Sequence, residues 1–360
     1  MVSLKSSSKK INNVLKPILF SLISICISIL IAVFFVMWSK GFGFIESFSL
    51  LITSFWNGSF GNIFSFSETL VYSTIYMFTG IAHLVAFRTN LFNIGVEGQF
   101  IAGMLASVIV GLIPGIPPLI HLILIFLSGI LAGGLWAFVP AFLKVKLNSN
   151  EVVNTIMMNF ISMHLLNLCI TYFLREPGYD STHSILPSAM LPRLFSESAT
   201  RANYGIFVGI FVVILIHLFI NRTRNGYELR SVGYNKYASE YGGINIKRSI
   251  IISMVISGII AGLGGAVFVS GVQHRVPKLH AFLNYGFDGI AVALVARNNP
   301  IAVIITSILF GALNASSLEL QFNGIPKDIV FLVQAIIILF IAGEYLFKFV
   351  LNKFKKGGAK

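Results

Sequence analysis

Long apolar segments, each bounded by short polar clusters, follow one another along the chain. A helix that crosses a bilayer needs about 20 predominantly apolar residues, and stretches such as 18–38, 204–220 and 329–347 reach that length. This pattern predicts an all-α integral membrane protein with about ten transmembrane helices. Their approximate ranges are 18–38, 67–87, 97–113, 119–143, 151–173, 204–220, 249–271, 284–296, 300–316 and 327–347.

The eighth predicted segment, residues 284–296, is shorter than the others. At about 1.5 Å per residue it extends about 20 Å, whereas the hydrocarbon core of a bilayer is about 30 Å thick. We therefore expect a half-helix or a re-entrant element at this position.

Composition supports the membrane assignment. Apolar types make up 56% of the 360 residues and charged types 11%, and that charged share is under half of what soluble domains carry. The formal net charge of +13 raises the question of a nucleic-acid partner. The basic residues lie in short loops and at both ends, however, so they indicate membrane topology and contact with lipids rather than nucleic-acid binding.

The distribution of Lys and Arg predicts the orientation. With the N-terminus inside, 19 of the 26 basic residues fall in cytoplasmic segments and 7 on the other side. The positive-inside rule predicts such a bias, so both termini are expected in the cytoplasm. The chain then consists of a cytoplasmic tail (1–17), a transmembrane domain (18–347) and a basic cytoplasmic tail (348–360).

Two polar segments separate the spans. The external segment 174–203 is rich in Pro, Ser and mixed charge, which favours an ordered loop that could meet a docking partner. The internal segment 221–248 contains Gly226, Gly233, Gly242 and Gly243 among residues that favour helix, and it predicts a short helix between two glycine bends.

A six-residue motif occurs twice, 191 residues apart. Residues 93–98 (Asn-Ile-Gly-Val-Glu-Gly) and 284–289 (Asn-Tyr-Gly-Phe-Asp-Gly) both read Asn-x-Gly-x-acid-Gly. By the predicted topology the first runs from inside to outside and the second from outside to inside, as in an inverted repeat. Glycine-interrupted helices in matching positions of two inverted halves mark the solute path, because unwound backbone is tolerated only where it lines a cavity.

The acidic residues of the two motifs carry the functional hypothesis. A carboxylate at membrane depth costs about 2.5–3.5 kcal/mol, so Glu97 and Asp288 are expected to face a wet interior. The neighbouring glycines allow close approach, and the amides offer hydrogen bonds to hydroxyl or amide groups. The predicted path residues are Asn93, Gly95, Glu97, Gly98, Gln99, Asn284, Gly286, Asp288 and Gly289. Two alternatives remain: an ordinary membrane-interface position with glycines that pack helices, and a coupling-ion site formed by the two acids.

Other residues exclude several kinds of chemistry. The seven histidines show no metal-ligand spacing, Cys26 and Cys169 both lie in apolar stretches, and no acid, base and nucleophile cluster lies at a membrane face. We therefore predict no metal site, no catalytic residue and no enzyme. Small residues at helical spacing in 128–134 and 257–262 indicate tight helix packing. The chain lacks a P-loop, so it is expected to bind no cofactor, and any ATP must be used by a separate polypeptide.

Four stretches resemble the permease subunits of ATP-binding-cassette (ABC) importers of the ribose, simple-sugar and nucleoside group, relatives of the branched-chain amino acid permeases. They are 91–99 (Leu-Phe-Asn-Ile-Gly-Val-Glu-Gly-Gln), 150–159 (Asn-Glu-Val-Val-Asn-Thr-Ile-Met-Met-Asn), 226–235 (Gly-Tyr-Glu-Leu-Arg-Ser-Val-Gly-Tyr-Asn) and 286–294 (Gly-Phe-Asp-Gly-Ile-Ala-Val-Ala-Leu). The resemblance runs from about Thr69 to the last span. It implies a multi-pass protein of the cytoplasmic (inner) membrane.

The resemblance also implies partners. These are a cytoplasmic ABC ATPase, a second permease that is a copy or a homologue, and an external solute-binding lipoprotein. The internal segment 221–248 would be the coupling loop that docks into the ATPase. Its candidate docking residues are Arg230, Gly233, Tyr234, Ala238, Gly242 and Gly243. The loop departs from the Glu-Ala-Ala consensus of such segments, since residues 237–243 read Tyr-Ala-Ser-Glu-Tyr-Gly-Gly.

The sequence therefore favours the permease subunit of an ABC importer for nucleosides or a related ribosyl or simple-sugar solute, working by alternating access. The alternatives are an ion-coupled secondary transporter that uses Glu97 and Asp288, and an ABC permease for sugars or branched-chain amino acids. A membrane-embedded enzyme such as a lipid-modifying transferase has the least support.

Overall fold

The computed structural model describes residues 24–197 and 199–342, and these form helices joined by loops. The helices are α1 (Ser24–Lys40), α2 (Phe44–Ser59), α3 (Ile63–Phe87), α4 (Val96–Gly111), α5 (Pro118–Leu147), α6 (Glu151–Cys169), α7 (Gly205–Arg222), α8 (Arg224–Tyr234), α9 (Lys236–Tyr241), α10 (Ile246–Phe268), α11 (Tyr285–Val295), α12 (Pro300–Ala315), α13 (Ser317–Phe322) and α14 (Asp328–Ala342). Helices α6 and α10 each continue as a short π-helix, Ile170–Leu174 and Val269–Gln273.

The described residues include six helices that are long and apolar enough to cross a membrane, or seven if the bent pair α1–α2 counts as one span. The six are Ile63–Phe87, Pro118–Leu147, Glu151–Leu174, Gly205–Arg222, Ile246–Gln273 and Pro300–Phe322. Shorter apolar helices, Val96–Gly111, Tyr285–Val295 and Asp328–Phe340, lie within or overlap the predicted spans 97–113, 284–296 and 327–347. The predicted tails 1–17 and 348–360, the start of the first predicted span and the end of the last one lie outside the described residues. The all-helical prediction is confirmed for the described part of the chain, whereas the count of ten spans stays a prediction.

The prediction of a short element at 284–296 agrees with the helix found there. Helix α11 has 11 residues and extends about 16 Å at the usual rise per residue. It is therefore too short to cross a bilayer by itself.

The chain divides into two compact units. One consists of the described residues up to Ser65 together with those from Leu313 onward. Within it α2 packs on α13, since a Cβ built on Gly58 would lie 2.7 Å from Cα of Ser316. Asn323 also donates a hydrogen bond of 3.0 Å from Nδ2 to Oγ of Ser54.

The other unit, Phe66–Ala312, is centred on α10, which packs against α4 and α5. Glycines set the separation of these helices. A Cβ on Gly103 would lie 2.6 Å from Cα of Gly262, and a Cβ on Gly133 would lie 2.7 Å from that same atom. No side chain fits at such distances, so the backbones are in direct contact. The predicted role of the small residues in 128–134 and 257–262, tight helix packing, is confirmed.

The segment 174–203 is held by local contacts, and its predicted role as an external loop stays a prediction. Its start is tied to the loop after α10 by one isolated β-bridge, Ser181 with Pro277, and by a hydrogen bond of 2.9 Å from Thr182 N to Val276 O. Asp180 forms ion pairs with Arg175 and Lys278, at 3.2 and 3.3 Å. The hydrogen bond and the positive charge of Lys278, with the further charge of Arg175, hold the pKa of the Asp180 carboxyl below its ordinary value.

The segment 221–248 differs in part from the prediction. It holds two helices, α8 and α9, and the break between them lies at Asn235. Gly226 and Gly233 were expected at bends, but both lie inside α8. A Cβ on Gly226 would meet the backbone of Ile220, and one on Gly233 would meet the carbonyl of Arg88. These two glycines serve close packing, and only Gly242 and Gly243 form the bend that the sequence predicted.

Polar side chains begin the helices of this segment. Thr223 caps α8 by accepting from Gly226 N at 3.1 Å, and Asn235 caps α9 by accepting from Ala238 N at 3.0 Å. Asn245 does the same for α10. Each cap satisfies a backbone N–H that has no partner within its own helix.

Candidate functional site

The first motif is held by a buried cluster of amides. Oδ1 of Asn93 accepts from Gly95 N at 3.0 Å, which shapes the turn that precedes α4. The side chains of Asn93 and Gln99 exchange hydrogen bonds of 3.1 and 3.2 Å, and Asn93 also donates to Ser257 Oγ at 2.8 Å. The amides of this motif are thus occupied in fixing the start of α4 to α10.

Asn159 of α6 completes this cluster. Its Oδ1 accepts from Gly98 N at 2.8 Å, and its Nδ2 donates to the carbonyl of Ile94 at 3.0 Å. A Cβ on Gly98 would lie 2.7 Å from Asn159 Oδ1, so glycine is required at that position. Sequence reasoning did not give Asn159 a role at the site, although it is the last residue of the string 150–159.

Glu97 joins the two motifs. Its Oε1 accepts from Asn284 N at 3.0 Å and its Oε2 from Gly286 N at 2.6 Å. These N–H groups lie at the start of α11, where a carboxylate is stabilised by unpaired donors and by the helix dipole. Asn284 has a left-handed backbone, φ 67°, and this turns the chain onto the carboxylate. The fully buried Glu97 therefore caps a helix of the other motif.

Helix α3 supplies the partners of the second motif. Tyr76 donates a hydrogen bond of 2.8 Å from its hydroxyl to Oδ2 of Asp288. His83 Nε2 lies 2.8 Å from the carbonyl of Gly286, and a Cβ on Gly289 would lie 2.6 Å from Oγ1 of Thr79. Sequence reasoning missed Tyr76 and Thr79. The spacing of Tyr76, Thr79 and His83 places them on one face of α3, and this was the signal available.

The nine predicted path residues differ in accessibility. Asn284 is exposed and Asp288 is partly exposed. The other seven are buried: Asn93, Gly95, Glu97, Gly98, Gln99, Gly286 and Gly289. The buried seven do not present a polar surface to a solute in this conformation, and their assignment to the path stays a prediction.

A cluster of aromatic rings includes Tyr76, the hydrogen-bond partner of the accessible carboxylate of Asp288. The ring of Tyr285 lies 6.4 Å from that of Tyr72 and 6.3 Å from that of Tyr76, both near perpendicular. Behind it are Phe100 and Phe268, whose ring centroids lie 6.1 and 5.4 Å from that of Tyr285. The site is therefore a buried hydrogen-bonded junction between the motifs, with one carboxylate and several rings at its edge.

The candidate coupling residues lie on and beside α8 and α9. Tyr234 is 85% exposed, and Ala238, Gly242 and Gly243 are also exposed. Three further tyrosines of this segment, Tyr227, Tyr237 and Tyr241, have large exposed side chains. Arg230 is partly buried.

Arg88, at the end of α3, links this segment to α11. Its carbonyl packs against Gly233, and its Nη2 donates to the carbonyl of Asn298, in the turn between α11 and α12. The neighbouring Thr89 donates to Ser253 Oγ of α10 at 2.9 Å. One point of the chain thus contacts α8, α10 and the α11–α12 turn.

Comparison with known proteins gives a consistent result. The chain is 39% identical over 355 residues to the guanosine ABC transporter permease protein NupP of Bacillus subtilis, covering 98% of this chain and 99% of that one. It is 33% identical to the nucleoside ABC transporter permease protein NupB of Lactococcus lactis, over 96% of both chains. The glucose ABC transporter permease protein TsgB13 of Haloferax volcanii is 30% identical over 79% of this chain and 78% of its own.

No solved structure gives a significant match. The relatives are transport subunits rather than enzymes, and with the apolar helices they identify a multi-pass membrane protein. The sequence resemblance to ABC importer permeases is thereby confirmed. Residues 65–342 match the family described as branched-chain amino acid transport system / permease component, and the chain belongs to that family of permeases.

Proposed function

We propose that this chain is the membrane-spanning permease subunit of an ABC importer for nucleosides. The observation that carries the proposal is the similarity to the guanosine permease over almost the whole of both chains. A second nucleoside permease matches over a similar length at lower identity. The glucose permease matches over a smaller part of the chain, so a base-free sugar is the less favoured solute.

The proposed topology has ten spans with both termini in the cytoplasm, and the two Asn-x-Gly-x-acid-Gly motifs belong to inverted halves. The contact of Glu97 with the N-terminus of α11 supports a central position for both motifs. Their helices begin at different positions, since Glu97 is the second residue of α4 and Asp288 the fourth of α11. The two halves are therefore proposed to be related in topology but not identical in local geometry.

The proposed partners are a cytoplasmic ABC ATPase, a second permease and an external solute-binding lipoprotein. The ATPase would dock on α8 and α9, where four tyrosines have large exposed side chains. ATP would bind and be hydrolysed in that partner, and this chain would hold no cofactor. The expected location is the cytoplasmic membrane.

In this mechanism, closure of the ATPase pair displaces α8, and the displacement reaches the α11–α12 turn through Arg88. Arg88 suits this role because its backbone contacts Gly233 while its guanidinium binds the carbonyl of Asn298. The two halves would then rock about the junction of Glu97 with α11 and expose the path to alternate sides.

The test is uptake by the purified importer, with this chain, its ATPase, the second permease and the binding protein reconstituted in proteoliposomes. We expect accumulation of radiolabelled guanosine or adenosine that requires internal ATP and fails when the ATPase is omitted. Uptake by this chain alone, driven by an H⁺ or Na⁺ gradient, would overturn the proposal in favour of a secondary transporter. Accumulation of glucose but of no nucleoside would overturn the assigned solute.

Contact with the ATPase can be tested separately. In a background with Cys26→Ser, a cysteine at Tyr234 should form a cross-link to the ATPase because that side chain is 85% exposed on α8. A cysteine at Tyr179, which is 58% exposed in the external segment, is the matched control and should form none. A cross-link from position 179 and none from position 234 would contradict the proposed orientation.

A further inference from the structure

A line of aromatic and acidic side chains follows one face of α3 toward the second motif. Glu68, Tyr72 and Tyr76 are spaced four residues apart, which places them above one another on the helix. The rings of Tyr72 and Tyr76 are stacked, with centroids 6.5 Å apart and planes inclined by 23°. Tyr285 of α11 stands edge-on to both rings. We call Glu68, Tyr72, Tyr76, Tyr285 and Asp288 the aromatic strip.

Each end of the aromatic strip carries a carboxylate. At one end Arg201, in the external segment, donates through Nε to Oε1 of Glu68 at 2.8 Å and through Nη2 to Oε2. The Arg201 side chain is 48% exposed while Glu68 is buried, so the ion pair is accessible from the side of Arg201. At the other end Asp288 holds the hydroxyl of Tyr76. The strip therefore leads from an accessible ion pair to the carboxylate of the second motif.

The accessible side of the strip is unsuited to lipid. Tyr72, Tyr285 and Asp288 are all partly exposed, and an ionisable group at membrane depth is costly unless it faces water or another polar surface. Asn284, next to this edge, is exposed as well. The other polar residues of the motifs are buried and occupied, as Glu97 is by two backbone N–H groups. The strip is therefore the polar surface that the junction offers to a solute.

A nucleoside matches this surface in its two chemical parts. Its planar base has the π-face that stacks on aromatic side chains, and stacking of this kind tolerates different bases. Its ribose hydroxyls are donors for which carboxylate oxygens are acceptors. Tyr76 and Glu68 are buried, so the partly exposed rings of Tyr72 and Tyr285 and the carboxylate of Asp288 offer these two kinds of contact.

We propose that the aromatic strip is the nucleoside-contacting surface of the permease, where the rings of Tyr72 and Tyr285 stack on the base and Asp288 accepts from the ribose. This inference rests on the proposed function and deepens it. It moves the solute contacts from the buried amides of the first motif to α3 and the start of α11. It also gives the permease a part in selecting planar solutes, in addition to any selection by a binding protein.

The test uses the complete reconstituted importer and initial rates of radiolabelled adenosine uptake. Tyr72→Leu and Tyr285→Leu should each raise KM about tenfold, the order expected for loss of one base-stacking contact. Tyr72→Phe and Tyr285→Phe retain the ring and should stay close to wild type. Asp288→Asn should raise KM as well. Binding-protein-stimulated ATP hydrolysis and co-purification with the ATPase report that each variant is folded and assembled.

The outcomes separate this inference from the proposed function. Adenosine uptake with unchanged KM in both Leu variants would overturn the role of the strip in nucleoside contact and leave the proposed importer function intact. Loss of permease pairing in the Leu variants, with pairing kept in the Phe variants, would assign the surface to contact between permeases and overturn the strip. A wild-type importer that accumulates no nucleoside would overturn the proposed function and the strip with it.

Discussion

The backbone of Gly286 lies directly against the backbone of Glu97. A Cβ on Gly286 would be 2.6 Å from Cα of Glu97, and the N–H of Gly286 donates a hydrogen bond of 2.6 Å to the carboxylate of that same residue. Glycine and carboxylate are therefore required together: the glycine permits the approach, and the carboxylate satisfies the donors that the approach buries. The contact joins the acidic residue of the first motif to the first glycine of the second.

Replacing Glu97 with Gln tests the capping. The amide keeps the shape but turns one acceptor into a donor, so a buried N–H of Asn284 or Gly286 loses its partner. An unsatisfied buried group costs about 1–3 kcal/mol, and we expect a lower unfolding temperature in scanning fluorimetry of the detergent-purified protein. Glu46→Gln, at an exposed position of α2, is the matched control. Equal unfolding temperatures for the two variants would contradict the capping role.

Replacing Gly286 with Ala tests the close approach. The new methyl group must push α11 away from α4, and overpacking of this kind costs about 1–3 kcal/mol. We expect reduced stability and slower nucleoside uptake by the reconstituted importer. Gly43→Ala is the control, because a Cβ there would meet no atom within 4 Å. Normal uptake by Gly286→Ala would show that the separation of these two helices can vary during transport.

Replacing Arg88 with Gln tests transmission from α8 to the α11–α12 turn. The shorter side chain loses the hydrogen bond to the carbonyl of Asn298, while the backbone contact with Gly233 remains. We expect ATP hydrolysis to continue while uptake per ATP falls several-fold, within the range of about 0.5–2 kcal/mol for residues that modulate coupling. Lys146→Gln, at an exposed position of α5, serves as the control. Equal reductions in hydrolysis and uptake would instead indicate a general loss of structure.

The segment 174–203 should keep its local structure well into the acidic range. Lys278 and Arg175 lower the pKa of Asp180, so its ion pairs stabilise the folded loop above the unfolded pKa, about 3.9. That contribution is lost as the pH falls from this value through the lower folded pKa. A spin label at position 183, exposed in this loop, should therefore gain mobility only below about pH 4. In Asp180→Asn the spin label should already be highly mobile at pH 7. Equal label mobility in the wild type and in Asp180→Asn at every pH would exclude this role for the ion pairs.

Much of the helical content could be predicted from the sequence because apolar length and polar boundaries are local properties. The short element at 284–296, the tight packing of the small residues in 128–134 and 257–262, and the bend at Gly243 all followed from such patterns. The break between α8 and α9 was also within reach, since Thr223, Asn235 and Asn245 are each suited to cap a helix. The prediction of a bend at Gly233 was wrong. Glycine is needed there because the backbone packs against the carbonyl of Arg88, 145 positions earlier in the chain.

The site could be predicted only in part. The repeated motif identified Glu97 and the start of α11 as important, but it did not reveal that one caps the other, since this depends on how two distant segments meet. Asn159 and Tyr76 were missed for the same reason: each binds a motif residue far away in sequence. A pattern of polar residues along one face of α3 was visible in the sequence, but its meaning depends on the position of α11.

The glycine contacts among α4, α5 and α10 have a mechanical consequence. Helices whose backbones touch cannot slide or tilt past one another without separating, so these three should move as a single rigid body during a transport cycle. Helix α11 differs in extent, because it is short and its backbone contact with α4, at Gly286, lies at its start together with the hydrogen bonds to Glu97. We therefore expect the hinge of the permease at the two ends of α11, with the three-helix block as the lever.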